Sequence, residues 1–235
     1  MRIRQTPIGN LMYQRTTGII LRTRPLTETS LIAYWLTRDF GRLPTVAKGA
    51  RRPGSPFQGK LDLFYLADLS FVRSRRSELH ILSEASLLKT HQALRKDLAC
   101  LRQAAYCAAL IEQTTETDTP VPGAFELMAD LLGYLPKQPV QSQTILAFEM
   151  KWLNVLGLRP DFQKTKVSGG TAQILKKFVE ADWQTLSRLK SASAQITEIR
   201  QFLHGFLIYH LGKIPHGRSN ALNVETNLGA GIKRC

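Results

Sequence analysis

Acidic residues and cysteine are scarce in this chain. Its 235 residues include 18 Asp and Glu against 32 Lys and Arg, a formal charge of +14. Such an excess concentrates polyanions nearby and speeds encounter with them, so nucleic acid or an acidic membrane surface is the expected partner. Cys100, Cys107 and Cys235 are an odd number with no Cys-x-x-Cys pair. That argues against a disulfide framework and excludes a four-thiolate zinc site. Nor is there a run approaching the roughly 18 apolar residues of a membrane span, and the Met1-Arg-Ile-Arg4 start lacks the apolar core of a secretory signal. The chain is therefore expected in the cytosol, with no membrane partner.

Catalytic signatures are missing as well. Gly49-Ala-Arg-Arg-Pro-Gly54 lacks the Gly-Lys-Ser/Thr ending that holds phosphates and magnesium, and no Gly-x-Gly-x-x-Gly occurs. His80, His91, His204, His210 and His216 include no His-Glu-x-x-His. His204 and His210, six apart on a helical pattern, point away from each other and read as surface or packing histidines. No Gly-x-Ser-x-Gly and no Cys placed near His is evident, and Cys100 and Cys107, seven apart on one stripe, read as packing residues. Scattered carboxylates offer no paired acid and base. No enzyme, cofactor or metal is expected.

What the chain does have is a change of period. Short extended runs, Gly18–Arg22, Ser30–Thr37, Arg42–Val46, Leu63–Val72 and Glu78–Leu82, alternate with turns over residues 17–86. Asp39-Phe-Gly-Arg42 reads as a hairpin, with Gly41 and Gly49 serving turn geometry, and Arg51–Gly59, with two prolines and two glycines, reads as a loop. Five short strands hide their edges most simply in a small closed Greek-key barrel of the OB type, an SH3-like barrel being the competing shape. From Leu94 through Ile111 apolar residues recur at three and four, and Phe125–Leu135, Thr144–Leu156, Ile174–Phe178 and Ile196–Leu211 repeat the helical signature. The expected class is α+β: a tail over 1–16, a five-stranded barrel over 17–86, a helical domain over 87–213, and a tail over 214–235.

Charge is denser in the barrel half, where residues 1–88 hold 14 Lys or Arg against 6 acids. Arg22 and Arg24 end the first strand, Arg42 and Lys48 bracket the third, Arg51 and Arg52 open the long loop, and Arg73, Arg75 and Arg76 lie between the last two strands. These nine could border one phosphate-binding groove, with Tyr34, Trp35 and Phe57 as candidate surfaces for stacked bases. The alternative is a solvated basic face with the aromatics in the core. In the helical half, Lys151 and Arg159, flanking Trp152 and Leu156, are nominated as an apolar slot rimmed by cations, suited to an acidic peptide.

Four segments carry a family resemblance: Glu28-Thr-Ser-Leu31, Leu36-Thr-Arg-Asp-Phe-Gly-Arg42, Val46-Ala-Lys-Gly-Ala-Arg-Arg52 and Phe57-Gln-Gly-Lys-Leu-Asp-Leu-Phe64. They resemble the amino-terminal signature of the RecO family, and Phe148-Glu-Met-Lys-Trp-Leu-Asn-Val-Leu-Gly-Leu-Arg-Pro-Asp-Phe162 resembles its central helix and following turn. The resemblance implies a DNA repair and recombination mediator with an OB-fold domain and a helical domain. It implies binding of single- and double-stranded DNA and annealing of complementary strands without ATP. The implied partners are RecR and the acidic C-terminal tail of single-strand-binding protein, with RecA served indirectly, in a cytoplasmic, nucleoid-associated setting. Many relatives carry a four-cysteine zinc loop after the central helix; residues 157–173 hold no cysteine, and Gly169-Gly170 would be its remnant. A basic OB-fold RNA-binding protein is the alternative function.

Overall fold

The first strand is long enough to serve two neighbours. In the computed structural model, which describes residues 13–162 and 164–223, β1 spans Tyr13–Pro25. Its first half pairs antiparallel with β4 (Leu66–Val72) and its second half with β2 (Leu31–Thr37), with a bulge between Ile20 and Arg22 that turns the strand from one partner to the other. β2 pairs with β3 (Gly41–Ala47), and β5 (His80–Lys89) returns antiparallel to β4. β5 then meets β3 in parallel at Thr45↔His80 and Val46↔Ile81. The strand order β1-β2-β3-β5-β4 closes on itself as the OB-type barrel, and no edge is left for a parallel closing pair to expose. Both ends exceed the expected 17–86, because β1 starts at Tyr13 and β5 runs on to Lys89.

Alternation fills the barrel. Trp35, Phe71, Leu43, Leu69 and Leu82 point inward together with Ala33, Ala47, Ala67 and Ala85. Small residues opposite large ones let a narrow interior close without voids. Trp35 is fully buried, and its Nε1 donates to Thr45 Oγ1 at 2.8 Å, which removes the cost of an unpaired indole N–H. Phe57, from the loop after β3, joins the same core.

Beyond β5, His91 takes a left-handed φ of 47° and its ring Nδ1 donates to the Phe64 carbonyl at 2.8 Å. Burial is the main influence on this imidazole and lowers its pKa from 6.5, with the Phe64 bond opposing in part. The unfolded chain then binds the proton more readily than the folded one, so stability is full above pH 6.5 and falls as pH drops through that value toward the folded pKa. Thermal melts should show this acid-side loss, and His91→Asn, which tolerates the left-handed backbone, should flatten it. An unchanged slope in the variant would assign the loss to other groups.

Gly41 does two things at once. Its φ is 67°, and a Cβ there would lie 2.0 Å from the Thr119 carbonyl oxygen. The chain passes so close because residues 115–119 run along the start of β3: Thr117 bridges Arg42, Asp118 N–H donates to the Arg42 carbonyl at 2.8 Å, and Arg42 Nε donates to Thr115 Oγ1 at 2.8 Å. Residues 115–129 accordingly group with the barrel and not with the helical domain, a correction to the single boundary expected near residue 86. Contacts of this kind join residues distant in sequence and leave no periodic trace. Gly41→Ala should cost at least about 1–2 kcal/mol from the backbone alone. Hydrogen exchange should then show faster opening across 115–119.

The second unit comprises residues 93–114 and 130 onward. It contains α1 (Leu98–Thr114), α3 (Ser142–Val155), α4 (Gly169–Glu180), α5 (Trp183–Ser187), α6 (Ser193–Leu211) and α7 (Arg218–Leu222), and the division between units falls within α2 (Ala124–Tyr134). α3 is its hub, with Ile145 through Met150, Trp152 and Leu153 all buried. Cys100 and Cys107 pack inside it; burial pushes the Cys100 thiol up to about 11 and holds the Cys107 thiol well above its ordinary value, so neither is a reactive thiolate.

Two expectations are overturned here. Gly169 and Gly170 are no loop remnant but the first turn of α4, capped by the Ser168 side chain accepting from Thr171 N–H. Glu198 accepts from Ser168 N–H at 2.7 Å and from the Ser168 and Thr171 hydroxyls, tying that turn to α6. The expected tail over 214–235 contains α7, docked by Arg218, whose guanidinium forks onto Glu149 at 2.6 and 2.8 Å. Residues 1–12 and 224–235 of the two expected tails lie outside the described residues.

Candidate nucleic-acid interface

Strand register decides which cations meet. Pro25, Leu31 and Ala47 lie in one row across β1, β2 and β3, so the β1–β2 loop and the loop after β3 leave the barrel at the same end. Arg24, one residue inside that row, and Lys48, Arg51 and Arg52, just beyond it, are exposed there. The two loops are stitched together: Arg51 N–H donates to the Thr29 carbonyl at 3.0 Å, and its guanidinium donates to the Thr27 carbonyl at 3.1 Å. Thr27 Oγ1 in turn accepts from the N–H groups of Thr29 and Ser30, an ST-turn that presents those carbonyls. Thr27 and Thr29 are positioning residues not among the nominated site residues; Thr29 lies in the Glu28–Leu31 segment that carries the resemblance, and the Thr-x-Thr-Ser run is the local signal for both. Gly49, with φ 68° and a Cβ position 3.7 Å from Arg52, supports the turn that brings Arg52 N–H onto its carbonyl. Lys48 and Arg52 form no ion pair among the described residues.

Arg22 stands on the adjoining sheet face, its guanidinium carbon 3.5 Å from the Tyr34 ring centroid. Of the three aromatics nominated for stacking, Tyr34 alone lies outside the core. Trp35, inward-facing in a closed barrel, and Phe57, folded from its loop into the same core, cannot reach a base. The stacked Arg22–Tyr34 pair offers a planar cation in their place.

Arg42 and Arg73 do not join this cluster. Arg42 sits at the opposite end of β3 and is bound to Thr115 through both Nε and its terminal amine. Arg73 pairs with Asp118 at 3.2 Å and donates to Gln14 Oε1 at 3.1 Å. Asp118 also accepts from His80 Nε2 at 3.1 Å, while His80 Nδ1 accepts from Ser74 N–H, so the Arg73–Arg76 turn is pinned to the 115–119 segment. Asp118, unnoticed in the sequence, neutralises part of the charge expected there. Arg75 and Arg76 remain exposed on that turn. One groove of nine cations thus resolves into a solvated cluster around Lys48 and a second, partly neutralised group around Arg73.

Trp152 and Lys151 are engaged inside the helical unit, and Arg159 in an ion pair at its surface. Trp152 is fully buried with Nε1 donating to Thr114 Oγ1 at 2.9 Å. Lys151 Nζ closes the end of α4 by donating to the Val179 and Ala181 carbonyls, and burial lowers its pKa. Arg159 pairs with Glu180 at 3.1 Å. The buried Trp152 ring faces the interior of the helical unit and does not line its surface.

An OB-type barrel with a cationic end, joined to a helical unit, defines the class as a two-unit α+β protein. The chain belongs to the RecO family: residues 12–91 match the model described as Recombination protein O N terminal, and residues 95–169 match Recombination protein O C terminal. It is 32% identical over 156 residues to DNA repair protein RecO of Rhodopirellula baltica, covering 66% of this chain and 58% of that one. With the Bacillus subtilis protein of the same name it shares 31% over 150 residues, 64% and 58% of the two chains. The chain thus spans under two thirds of the length of these relatives. Among the described residues no helix is long and apolar enough to cross a membrane.

Proposed function

We propose that this chain is a DNA repair and recombination mediator that binds single- and double-stranded DNA through the Lys48 end of its barrel. Membership of a family whose relatives are named DNA repair proteins supports the reading, and the solvated cluster of Arg24, Lys48, Arg51 and Arg52 carries it. Two strands repel through their phosphates; a cationic surface that neutralises both lets complementary bases meet, and no nucleotide hydrolysis is needed for that. On this reading the protein anneals strands without ATP, makes and breaks no bond, and works with RecR and the acidic tail of single-strand-binding protein so that RecA loads.

Four phosphate contacts on a single strand predict a log–log salt slope of about −3. Fluorescence anisotropy across a salt series measures it, and a slope near zero would remove the electrostatic interface. Competition between matched DNA and RNA strands tests the RNA-binding alternative, which tighter RNA binding would favour.

A further inference from the structure

A cleft of about 710 Å³ opens in the helical unit where the start of α3, the start of α6 and the end of α7 meet. Sites for small ligands typically hold about 300–1,000 Å³. Ser142 and Gln143 line the cleft from α3, and Ser193, Ile196 and Arg200, at spacings of three and four, line it from one face of α6. No acid lines it among the described residues. Glu198, the one acid of α6, is held instead by Ser168 and Thr171 at the start of α4.

Arg200 is a cation without a counter-ion. Its guanidinium is half-buried, forms no ion pair among the described residues, and reaches only Asn223 Oδ1 and the Leu222 carbonyl, both at 3.4 Å. Those contacts are long for a charged donor, and Nε is buried with no acceptor. Half-burying a charge without a partner is costly, so the cleft favours an anion. The start of α3 points the same way. Its N-cap, Gln141, gives the first turn no side-chain bond, and the opening N–H groups of a helix attract an oxyanion. A carboxylate would suffice for the guanidinium alone. A phosphomonoester has oxygens enough for Arg200, the helix start and the Ser142 and Ser193 hydroxyls together, and Val140, Ile196 and Leu222 offer an apolar wall to whatever carries it.

We infer that this cleft binds the phosphomonoester of one nucleotide, seated between Arg200 and the start of α3 with its sugar or base against Ile196 and Leu222. The nucleotide is either free or the phosphorylated end of a strand. The inference stands apart from strand binding at the barrel.

Calorimetric titration of the full chain should show thymidine 5′-monophosphate binding at least about tenfold more tightly than thymidine, the worth of a charged hydrogen bond. Arg200→Gln should weaken the monophosphate by about tenfold or more on the same grounds. Ser142→Pro removes one N–H and one hydroxyl at a first helical position, where proline is favoured, after a Gln141 that is already extended. It should weaken binding by about threefold to tenfold with the melting temperature held. Fluorescence anisotropy of single strands with and without a 5′-phosphate separates the two sources. A preference for the phosphorylated strand that Arg200→Gln abolishes assigns the cleft to strand ends, and monophosphate binding without that preference assigns it to the free nucleotide. No monophosphate binding, equal affinity for thymidine, or affinity unchanged in both variants would overturn the inference. So would tighter binding of acetate or of an acidic peptide that Arg200→Gln abolishes, which would make the cleft a carboxylate site. Monophosphate binding lost on replacing Lys48, Arg51 and Arg52 by Ala but kept in Arg200→Gln would place the nucleotide on the barrel and overturn it too. A wild-type chain that binds the monophosphate but shows no salt-dependent strand binding would remove the proposed function and leave this site standing.

Discussion

Arg218→Ala should destabilise the helical unit by about 3–5 kcal/mol, the largest loss expected from any single substitution here. Glu149 is fully buried, and its two oxygens take the Arg218 guanidinium at 2.6 and 2.8 Å and the Tyr106 hydroxyl at 2.5 Å. Burial works against the Arg218 cation, yet the hydrogen bonds and charge of Glu149 outweigh it and hold its pKa above the ordinary value. Burial beside that carboxylate also raises the Tyr106 phenol. Removing the guanidinium strands a carboxylate among apolar side chains, and α7 loses its anchor. Joint replacement by Glu149→Leu, Arg218→Met and Tyr106→Phe removes every charge and polar partner together, and should recover most of the loss. Urea unfolding followed by far-UV circular dichroism measures both. A loss below about 1 kcal/mol for Arg218→Ala would mean that the pair is solvated and the docking of α7 weak.

Replacing Lys48, Arg51 and Arg52 together by Ala should weaken DNA binding by about 100-fold and flatten the salt slope by about 2 units. All sequences should suffer alike, since backbone contacts position a strand without reading it. The side chains are exposed, and the backbone bond of Arg51 to Thr29 survives the change, so stability should stay within about 0.5 kcal/mol of the parent. Only the guanidinium bond to Thr27 is lost, at the surface. A variant that melts far earlier yet binds normally when folded would make the cluster a structural stitch between two loops. The DNA site would then move to Arg75 and Arg76.

Much of the barrel was legible in order along the chain. Strand positions, the hairpin at Gly41, the long loop after Ala47 and the helices α1, α3 and α6 all follow from period and punctuation, because those depend on neighbours a few residues away. The site was legible only as a set of cations. Arg42 and Lys48 bracket one strand, yet strand length alone puts them at opposite ends of it, and only one end gathers the loops of β1–β2 and β3–β4.

Composition and local pattern, by themselves, determined that this protein is basic, built of strands and then helices, and without a Gly-Lys-Ser/Thr phosphate loop or a His-Glu-x-x-His motif. Those properties are sums or short-range periodicities, and no folding is needed to read them. Tertiary structure alone decided that Trp35, Phe57 and Trp152 are core, that Asp118 claims Arg73 and His80, that residues 115–129 belong with the barrel, and that Arg218 reaches Glu149. Each of these joins residues tens of positions apart. Their energy comes from desolvation and from partners that only the closed fold brings within hydrogen-bonding distance.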